Sequence, residues 1–325
     1  MAYLITGVAG FIGFHVANQL LQAGEHVIGL DEVNDYYSTE LKQSRLDILR
    51  NFGDRFEFGQ IDLADTENLN EFLKNKFFSR IIHLAAQAGV RYSLENPTEY
   101  VRSNLAGHVN MLEIARNTED LEHMLYASSS SVYGGRRDVP FKEEDRADKP
   151  VSLYAATKKS NELMSHTYSH LYGIPLTGLR FFTVYGPWGR PDMAYFSFTR
   201  KILNGEEIQV FNNGDMLRDF TYIDDIVDGI LRIAGDGPTG NRQPPHKVYN
   251  IGNNQPEKLE DFLAILEQEL GVTAIRKDLP MQPGDVPVTC ADISEINRDY
   301  GFQPKTGLSE GLKKFVHWYR EYYKG

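Results

Sequence analysis

Tyr3-Leu4-Ile5-Thr6-Gly7-Val8-Ala9-Gly10-Phe11-Ile12-Gly13-Phe14-His15-Val16 is the stretch on which the fold turns. A short apolar run stops at a glycine, and three glycines recur at intervals of three. Ile12, Val16 and Leu20 then follow at helical spacing until Gly24 closes the segment, as a C-cap glycine does. The first glycine permits a tight turn. The second lets backbone approach a pyrophosphate, and the third lets the helix pack on its strand. The helix N-terminus adds unpaired N–H groups and a partial positive charge. This GxxGxxG spacing is a variant of GxGxxG in a strand–turn–helix setting, and it predicts that Gly7, Gly10 and Gly13 hold a dinucleotide.

The segments that follow alternate. Strands are expected at His26 to Leu30, Phe56 to Ile61, Arg80 to Leu84, His123 to Ser128 and Thr177 to Val184. Helices are expected at Leu69 to Lys76, Asn104 to Arg116 and Ser152 to Tyr172, the last capped by Ser152. Such a rhythm of short apolar runs and helices predicts an α/β fold with a doubly wound parallel (Rossmann) sheet over residues 1–180. Beyond Gly186 the rhythm breaks, with proline and glycine frequent in Gly186-Pro187-Trp188-Gly189-Arg190-Pro191 and from Gly235 to Pro245. Residues 181–325 therefore read as mainly a smaller C-terminal α/β substrate lobe. Parts of 220–252, namely Phe220 to Ala234 and Val248 to Gly252, return to the first lobe. The helix Ser309 to Tyr323 carries Phe315, Trp318, Tyr319 and Tyr322, read as a packing stripe. Asp31 ends the second strand where a ribose ligand belongs, about 20 residues past the turn. A carboxylate there repels a 2′-phosphate, so NAD is expected rather than NADP. Asp62, ending the third strand, is within reach of the adenine.

Composition narrows the function. The 325 residues are 41% hydrophobic and 24% charged, as in an ordinary soluble protein. The net charge of -11 argues against a nucleic-acid partner. No apolar run approaches the ~20 residues of a membrane span. The apolar start is interrupted by Gly7 and Gly10 and lacks a basic flank, so it reads as a strand rather than a signal peptide. The single Cys290 forms no internal disulfide, which fits a reducing, cytoplasmic compartment. The nine histidines show no HExxH or paired-ligand spacing, so no metal is expected.

Tyr154-Ala155-Ala156-Thr157-Lys158 puts a phenol and an ammonium four residues apart on one helix face. A free tyrosine titrates near ~10 and is a poor base at neutral pH. Lowering it by roughly three pH units takes about 4 kcal/mol, which a neighbouring lysine and a nicotinamide cation can supply. Ser128-Ser129-Ser130-Ser131 ends the fifth strand, on the side where ligands sit in open α/β sheets. Tyr154 is thus the expected acid/base, with serine hydroxyls to relay the substrate proton.

The glycine turn, the serine run and Tyr154 with Lys158 resemble the extended short-chain dehydrogenase/reductases that act on nucleotide sugars. The likeness spans nearly the whole chain. Within that family the chain is most similar to the UDP-glucuronate 4-epimerases. Ala86-Gln87-Ala88-Gly89-Val90-Arg91-Tyr92-Ser93, Ser152 to Lys159, Arg180 to Met193 and Leu217 to Asp225 carry this narrower match. The resemblance implies that Phe11, Ile12, Leu63, Ala85, Asn104 and Lys158 join the glycines, Asp31 and Asp62 around NAD. It implies that Ser129 partners Tyr154 and that Ser130 and Ser131 touch the sugar. Arg91 lies in a matching segment and is expected at the substrate. Thr183 and Arg190 would hold the C6 carboxylate, and Val210, Arg218 and Asp285 the uridine diphosphate. The implied reaction is C4 epimerisation of UDP-glucuronate to UDP-galacturonate through a 4-keto sugar. A homodimer paired through the helices at 104–116 and 152–172 is implied as well. Val109, Met111, Leu112, Leu163 and Met164 are the apolar residues on those helices.

The family's 4,6-dehydratases carry Asp-Glu in the strand-end turn, where this chain has Ser129-Ser130-Ser131-Val132-Tyr133 and no carboxyl. UDP-glucose 4-epimerases typically have asparagine where Thr183 stands. Another UDP-sugar 4-epimerase, and above all a UDP-glucuronate decarboxylase, remain the alternatives, because a 4-keto uronic acid tends to lose CO2. A silent NAD-sensing protein of the same fold would not need Tyr154 and Lys158.

Overall fold

Apolar segments ending in glycine or aspartate become the strands of one parallel sheet in the computed structural model, which describes residues 1–237, 243–282 and 285–323. The chain runs β1 (Ala2–Thr6), α1 (Phe11–Gln22), β2 (His26–Asp31), α2 (Thr39–Arg50), β3 (Phe56–Gln60), α3 (Thr66–Leu73) and β4 (Arg80–His83). Two short turns, α4 (Tyr92–Glu95) and α5 (Pro97–Tyr100), lead through a wide π-helical turn at Val101–Ala106 into α6 (Gly107–Asn117). After β5 (His123–Ser129) come α7 (Leu153–Tyr172), β6 (Leu176–Phe181), β7 (Thr183–Tyr185), α8 (Ala194–Leu203), β8 (Glu207–Phe211) and β9 (Leu217–Tyr222). The remainder is α9 (Ile223–Asp236), β10 (His246–Ile251), β11 (Pro256–Lys258), α10 (Leu259–Leu270), β12 (Ile275–Leu279), α11 (Ser294–Tyr300) and α12 (Leu308–Tyr323).

The main sheet has the order β10-β6-β5-β4-β1-β2-β3, and its pairings are parallel. It is the doubly wound Rossmann arrangement. Successive residues of β1 serve opposite faces, as the pleat requires. Tyr3 and Ile5 pack in the cluster that contains α1 and α9, and Leu4 in the cluster that contains α3 and α6 residues. In β1, Thr6 pairs with Leu30 on one side and His83 on the other, so the glycine turn, Asp31 and Leu84 emerge side by side at the carboxyl ends. Two small sheets, β11-β9-β7 and β12-β8, stand across from those ends. Among the described residues, no helix is long and apolar enough to cross a membrane.

Several boundaries differ from the sequence reading. The strand expected over 177–184 is two strands in two sheets. Phe182 leaves the main sheet to pack with Val132, Tyr133, Phe141 and Ala291, and Thr183–Tyr185 then pairs with β9. The helix expected over 69–76 begins at Thr66, because the Asp65 carboxylate accepts from the Asn68 N–H at 3.1 Å, an N-cap. It ends at Leu73. α2 was not anticipated at all. Of 220–252, β10 joins the main sheet and α9 packs on α1, whereas Phe220 belongs to a small sheet. Of the stretch from Gly235 to Pro245, residues 238–242 lie outside the described residues. Phe315, Trp318 and Tyr319 are buried, and Tyr322 stacks on Trp318 with ring centroids 5.5 Å apart.

Candidate active site

A cleft of about 870 Å3 separates the carboxyl ends of the main sheet from the small sheets. Its floor is the glycine turn. Gly7 has φ +73°, and a Cβ on it would come within 2.8 Å of the Ala85 nitrogen. A Cβ on Gly13 would run into the Gly7 carbonyl oxygen. α1 has no side-chain cap and no acidic residue in its first turn, so its leading N–H groups stay available to an anion. Asp31 accepts from the backbone N–H of Ala9 (3.0 Å) and of Val33 (2.8 Å), one on each carboxylate oxygen. Burial raises its pKa. A second lone pair on each oxygen remains for ribose hydroxyls. Phe11, Ile12, Asp62, Leu63, Ala85 and Lys158 also line the cleft. The shape and donors fit NAD.

Asp62 stands in an ion-pair cluster whose other members sequence reasoning missed. Asp62 accepts from Ala64 N–H at 2.9 Å and is ion-paired to Arg102. Arg102 also reaches Glu32 (3.3 Å) and Glu99 (2.7 Å). Glu99 lies three residues before Arg102, but Glu32 and Asp62 come from distant segments, so the local sequence does not show the cluster. Asn104, expected beside NAD, stands behind the wall. Its amide is spent on the Gln87 backbone at 2.8 and 3.0 Å and on Thr157 at 3.1 Å, and it holds the Ala85 to Arg91 loop in place from within. Tyr100 Oη donates to Ala88 and Gly89 carbonyls of the same loop.

Tyr154 stands in the first turn of α7, whose N-cap Ser152 accepts from Ala155 N–H at 3.1 Å. Lys158, one turn on, is buried and donates to the Ala127 carbonyl at 2.9 Å. Burial pushes the Lys158 pKa down to about 8. Burial raises Tyr154, and the Ser129 hydroxyl and the Arg190 charge offset this in part. The expectation that Lys158 draws the phenol down is thus not what the protein alone provides, because desolvation acts on both groups and favours their neutral forms. Ser129 accepts from Ser131 N–H at 3.2 Å, and Ser130 and Ser131 face the cleft. Ser128 instead donates to the buried Glu162 carboxylate at 2.7 Å.

The opposite wall supplies Thr183, Arg190, Arg218 and Asp285. Arg190, expected to hold the C6 carboxylate, gives its bidentate edge, Nε and Nη2, to Asp192, whose carboxyl is held low by Arg190 against the upward push of burial. Tyr36 Oη donates to the same carboxylate at 3.3 Å. Nη1 of Arg190 takes no part in the pair with Asp192. Arg218 and Asp285 pair with each other at 2.9 Å. Val210 is corrected: its side chain is fully buried in the core, because β8 alternates and turns Gln209 and Phe211 to the cleft instead. Arg91 lies over the Phe211 ring, 4.9 Å from its centroid. Strand alternation across β8 was the signal that could have moved the assignment from Val210 to its neighbours.

A model of the NAD dependent epimerase/dehydratase family matches residues 3–252. The chain is 51% identical to UDP-glucuronate 4-epimerase 4 of Arabidopsis thaliana, over 99% of this chain and 76% of that protein. The crystal structure of UDP-glucuronic acid 4-epimerase from Bacillus cereus, in complex with UDP-glucuronic acid and NAD, superposes with a TM-score of 0.90. It is 33% identical and covers 99% of this chain and 100% of that one. A UDP-glucose 4-epimerase from Thermotoga maritima, with UDP-glucose, superposes at 0.87 with 28% identity, over 99% and 100%.

Proposed function

The chain belongs to the NAD dependent epimerase/dehydratase family, and from that premise we propose that it inverts C4 of UDP-glucuronate to give UDP-galacturonate, reversibly and with no net oxidation. The observation that carries this is the meeting of Tyr154, Lys158 and the Ser129 to Ser131 run, beside the glycine turn, with Thr183 and Arg190 across one cleft. NAD, when bound, supplies the hydride acceptor and then the donor for a transient 4-keto sugar. Tyr154 takes the proton of the 4-hydroxyl and later returns it. Lys158 steadies the phenolate as an ammonium, a state the pocket permits at neutral pH because its pKa stays at about 8. Ser129 hydrogen-bonds the phenolic oxygen and limits the cost of charging it. Ser130 and Ser131 take the sugar hydroxyls. Arg218 and Asp285 stand at the diphosphate end, with Arg91 and Phe211 as the platform at the nucleotide end.

A uronic acid poses a hazard, because the ketone at C4 makes the C6 carboxylate prone to leave as CO2. Thr183 and the Nη1 end of Arg190 restrain the carboxylate so that the C5–C6 bond stays out of line with the ketone π system. The test is product analysis after incubation with UDP-glucuronate. UDP-galacturonate is expected. Mainly UDP-pentose, with little UDP-galacturonate, would overturn the reading in favour of a decarboxylase.

We further propose a homodimer through α6 and α7. Leu163 and Leu171 of α7 are 60% and 61% exposed, and Val109 is half-buried, whereas Met111 and Leu112 point into the chain's own core. A sedimentation boundary of monomer alone at micromolar concentration contradicts this. A cytoplasmic location accords with the single, buried, unpaired Cys290.

A further inference from the structure

Arg45 is a fully buried arginine with no carboxylate within ion-pairing distance among the described residues. It lies on the inner stripe of α2 with Leu41 and Leu49, where an aliphatic residue is the ordinary choice. A guanidinium in such a place is unfavourable unless its donors are satisfied. Four hydrogen bonds engage its Nη1 and Nη2 donors, whereas the buried Nε has no partner among the described residues. Nη1 donates to the carbonyl of Ala9, inside the glycine turn, at 2.7 Å and to Tyr37 Oη at 2.8 Å. Nη2 donates to the carbonyls of Trp188 (2.6 Å) and Gly189 (3.0 Å). His15 of α1 bonds the preceding carbonyl, Pro187, through Nε2 at 2.9 Å. Burial pushes this histidine down to about 4, so it is neutral at pH 7 and its Nε2–H is the donor.

Three consecutive carbonyls, of Pro187, Trp188 and Gly189, are therefore gripped by two helices of the cofactor side, immediately before Arg190. The gripped backbone is not a relaxed one. Trp188 has φ +59°, a left-handed conformation that disfavours a large side chain. Gly189 has no room for a Cβ against Tyr195 Oη. On the far side, Tyr36 Oη and Asp192 fix the other end of the guanidinium.

We propose that Arg45, assisted by His15, is a positioning residue that sets where Arg190 stands over the sugar, and so commits the keto sugar to epimerisation rather than loss of CO2. This rests on the functional reading above. When the C6 carboxylate swings free, the C5–C6 bond breaks. Its electron pair passes into the C4 ketone as an enolate and CO2 leaves. C5 then takes a proton from solvent, and the hydride removed from C4 is returned, giving a UDP-pentose with no net change in the cofactor. The pentose fraction therefore reports Arg190's placement.

The experiment compares holoenzyme with Arg45→Met, Arg45→Lys and His15→Phe, scoring UDP-galacturonate and UDP-pentose by NMR. It also measures, by calorimetry, the ratio of dissociation constants for UDP-glucose and UDP-glucuronate. Folded Arg45→Met should turn over about tenfold to a hundredfold more slowly, the scale of a roughly 1 Å misplacement. Its pentose-to-galacturonate ratio should rise about tenfold, with NAD retained, and Arg45→Lys should fall between. If Arg45→Met does not fold, His15→Phe, which removes one grip, should still raise the ratio several-fold. A lowered rate with an unchanged product ratio and an unchanged preference for UDP-glucuronate, in whichever variant folds, means a purely structural role and overturns the proposal. If wild type makes no UDP-galacturonate, the functional reading falls on its own. The binding preference then decides the positioning role separately: loss of preference in the variant upholds it and retention refutes it.

Discussion

Replacing Lys158 by methionine should stabilise the protein at neutral pH while abolishing most of its turnover. Lys158 is 2% exposed and titrates at about 8, against 10.5 for a free lysine. Keeping it charged below pH 8 thus disfavours the folded state by a gap of about 2.5 pH units, or ~3 kcal/mol. Methionine carries no such penalty and has a similar length. Its loss is the hydrogen bond to the Ala127 carbonyl at 2.9 Å, worth ~2 kcal/mol for a charged donor. A net gain of about 1 kcal/mol follows near pH 7. The folded pKa lies below the unfolded one, so between about pH 8 and 10.5 the unfolded chain binds more protons, and wild-type stability climbs across that window. The variant has no such climb, so its advantage shrinks from pH 8 upward and is gone by about pH 10.5. Urea unfolding of nucleotide-free wild type and Lys158→Met at pH 7 and pH 10.5 measures this. A variant less stable at pH 7, or an advantage that does not change with pH, refutes the reasoning about burial.

Tyr154→Phe should lower turnover by about 10²- to 10⁴-fold, the usual worth of a positioned acid/base, with NAD content unchanged. Equal turnover removes Tyr154 from the role. Gly7→Ala should leave the purified protein with little NAD by nucleotide extraction. The new Cβ meets the Ala85 backbone at 2.8 Å in a left-handed residue, and full NAD occupancy contradicts the cradle. Glu162 should matter for acid stability. Burial alone would raise its pKa, yet bonds from Arg180 at 2.8 and 2.9 Å hold it down to about 2. The stability it contributes is complete above about pH 4.5 and is lost as pH falls toward 2. Glu162→Gln leaves Arg180 buried without its carboxylate partner, so the variant should be less stable by about 3 kcal/mol at pH 7, with a flatter acid limb in urea unfolding.

What the sequence disclosed was local. The glycine turn, Asp31 at a strand end and Tyr154 one helical turn before Lys158 are each written within a few residues. Backbone geometry then brings them to one edge of a parallel sheet. What stayed hidden was made by tertiary contact. Arg190 was visible, but its capture by Asp192 was not. Arg102 gathers Asp62 and Glu32 from distant segments, beside its near neighbour Glu99. Asn104 lies on a π-helical turn that no helical periodicity foretells, and that turn carries its side chain behind the loop. Arg45 left one trace, a charged residue in the stripe with Leu41 and Leu49, and α2 had gone unread. The strand over 177–184 looked continuous because Phe181 and Phe182 are both apolar, although each packs in a different cluster.

In the proposed reaction hydride leaves C4 and returns to the same carbon from the other face. Incubation with UDP-glucuronate deuterated at C4, followed by proton NMR of the isolated sugar nucleotides, tests it most directly. UDP-galacturonate that still carries deuterium at C4 is expected, with no accumulation of reduced cofactor. Deuterium replaced by solvent hydrogen at C4, or a product that is chiefly UDP-pentose, would contradict it.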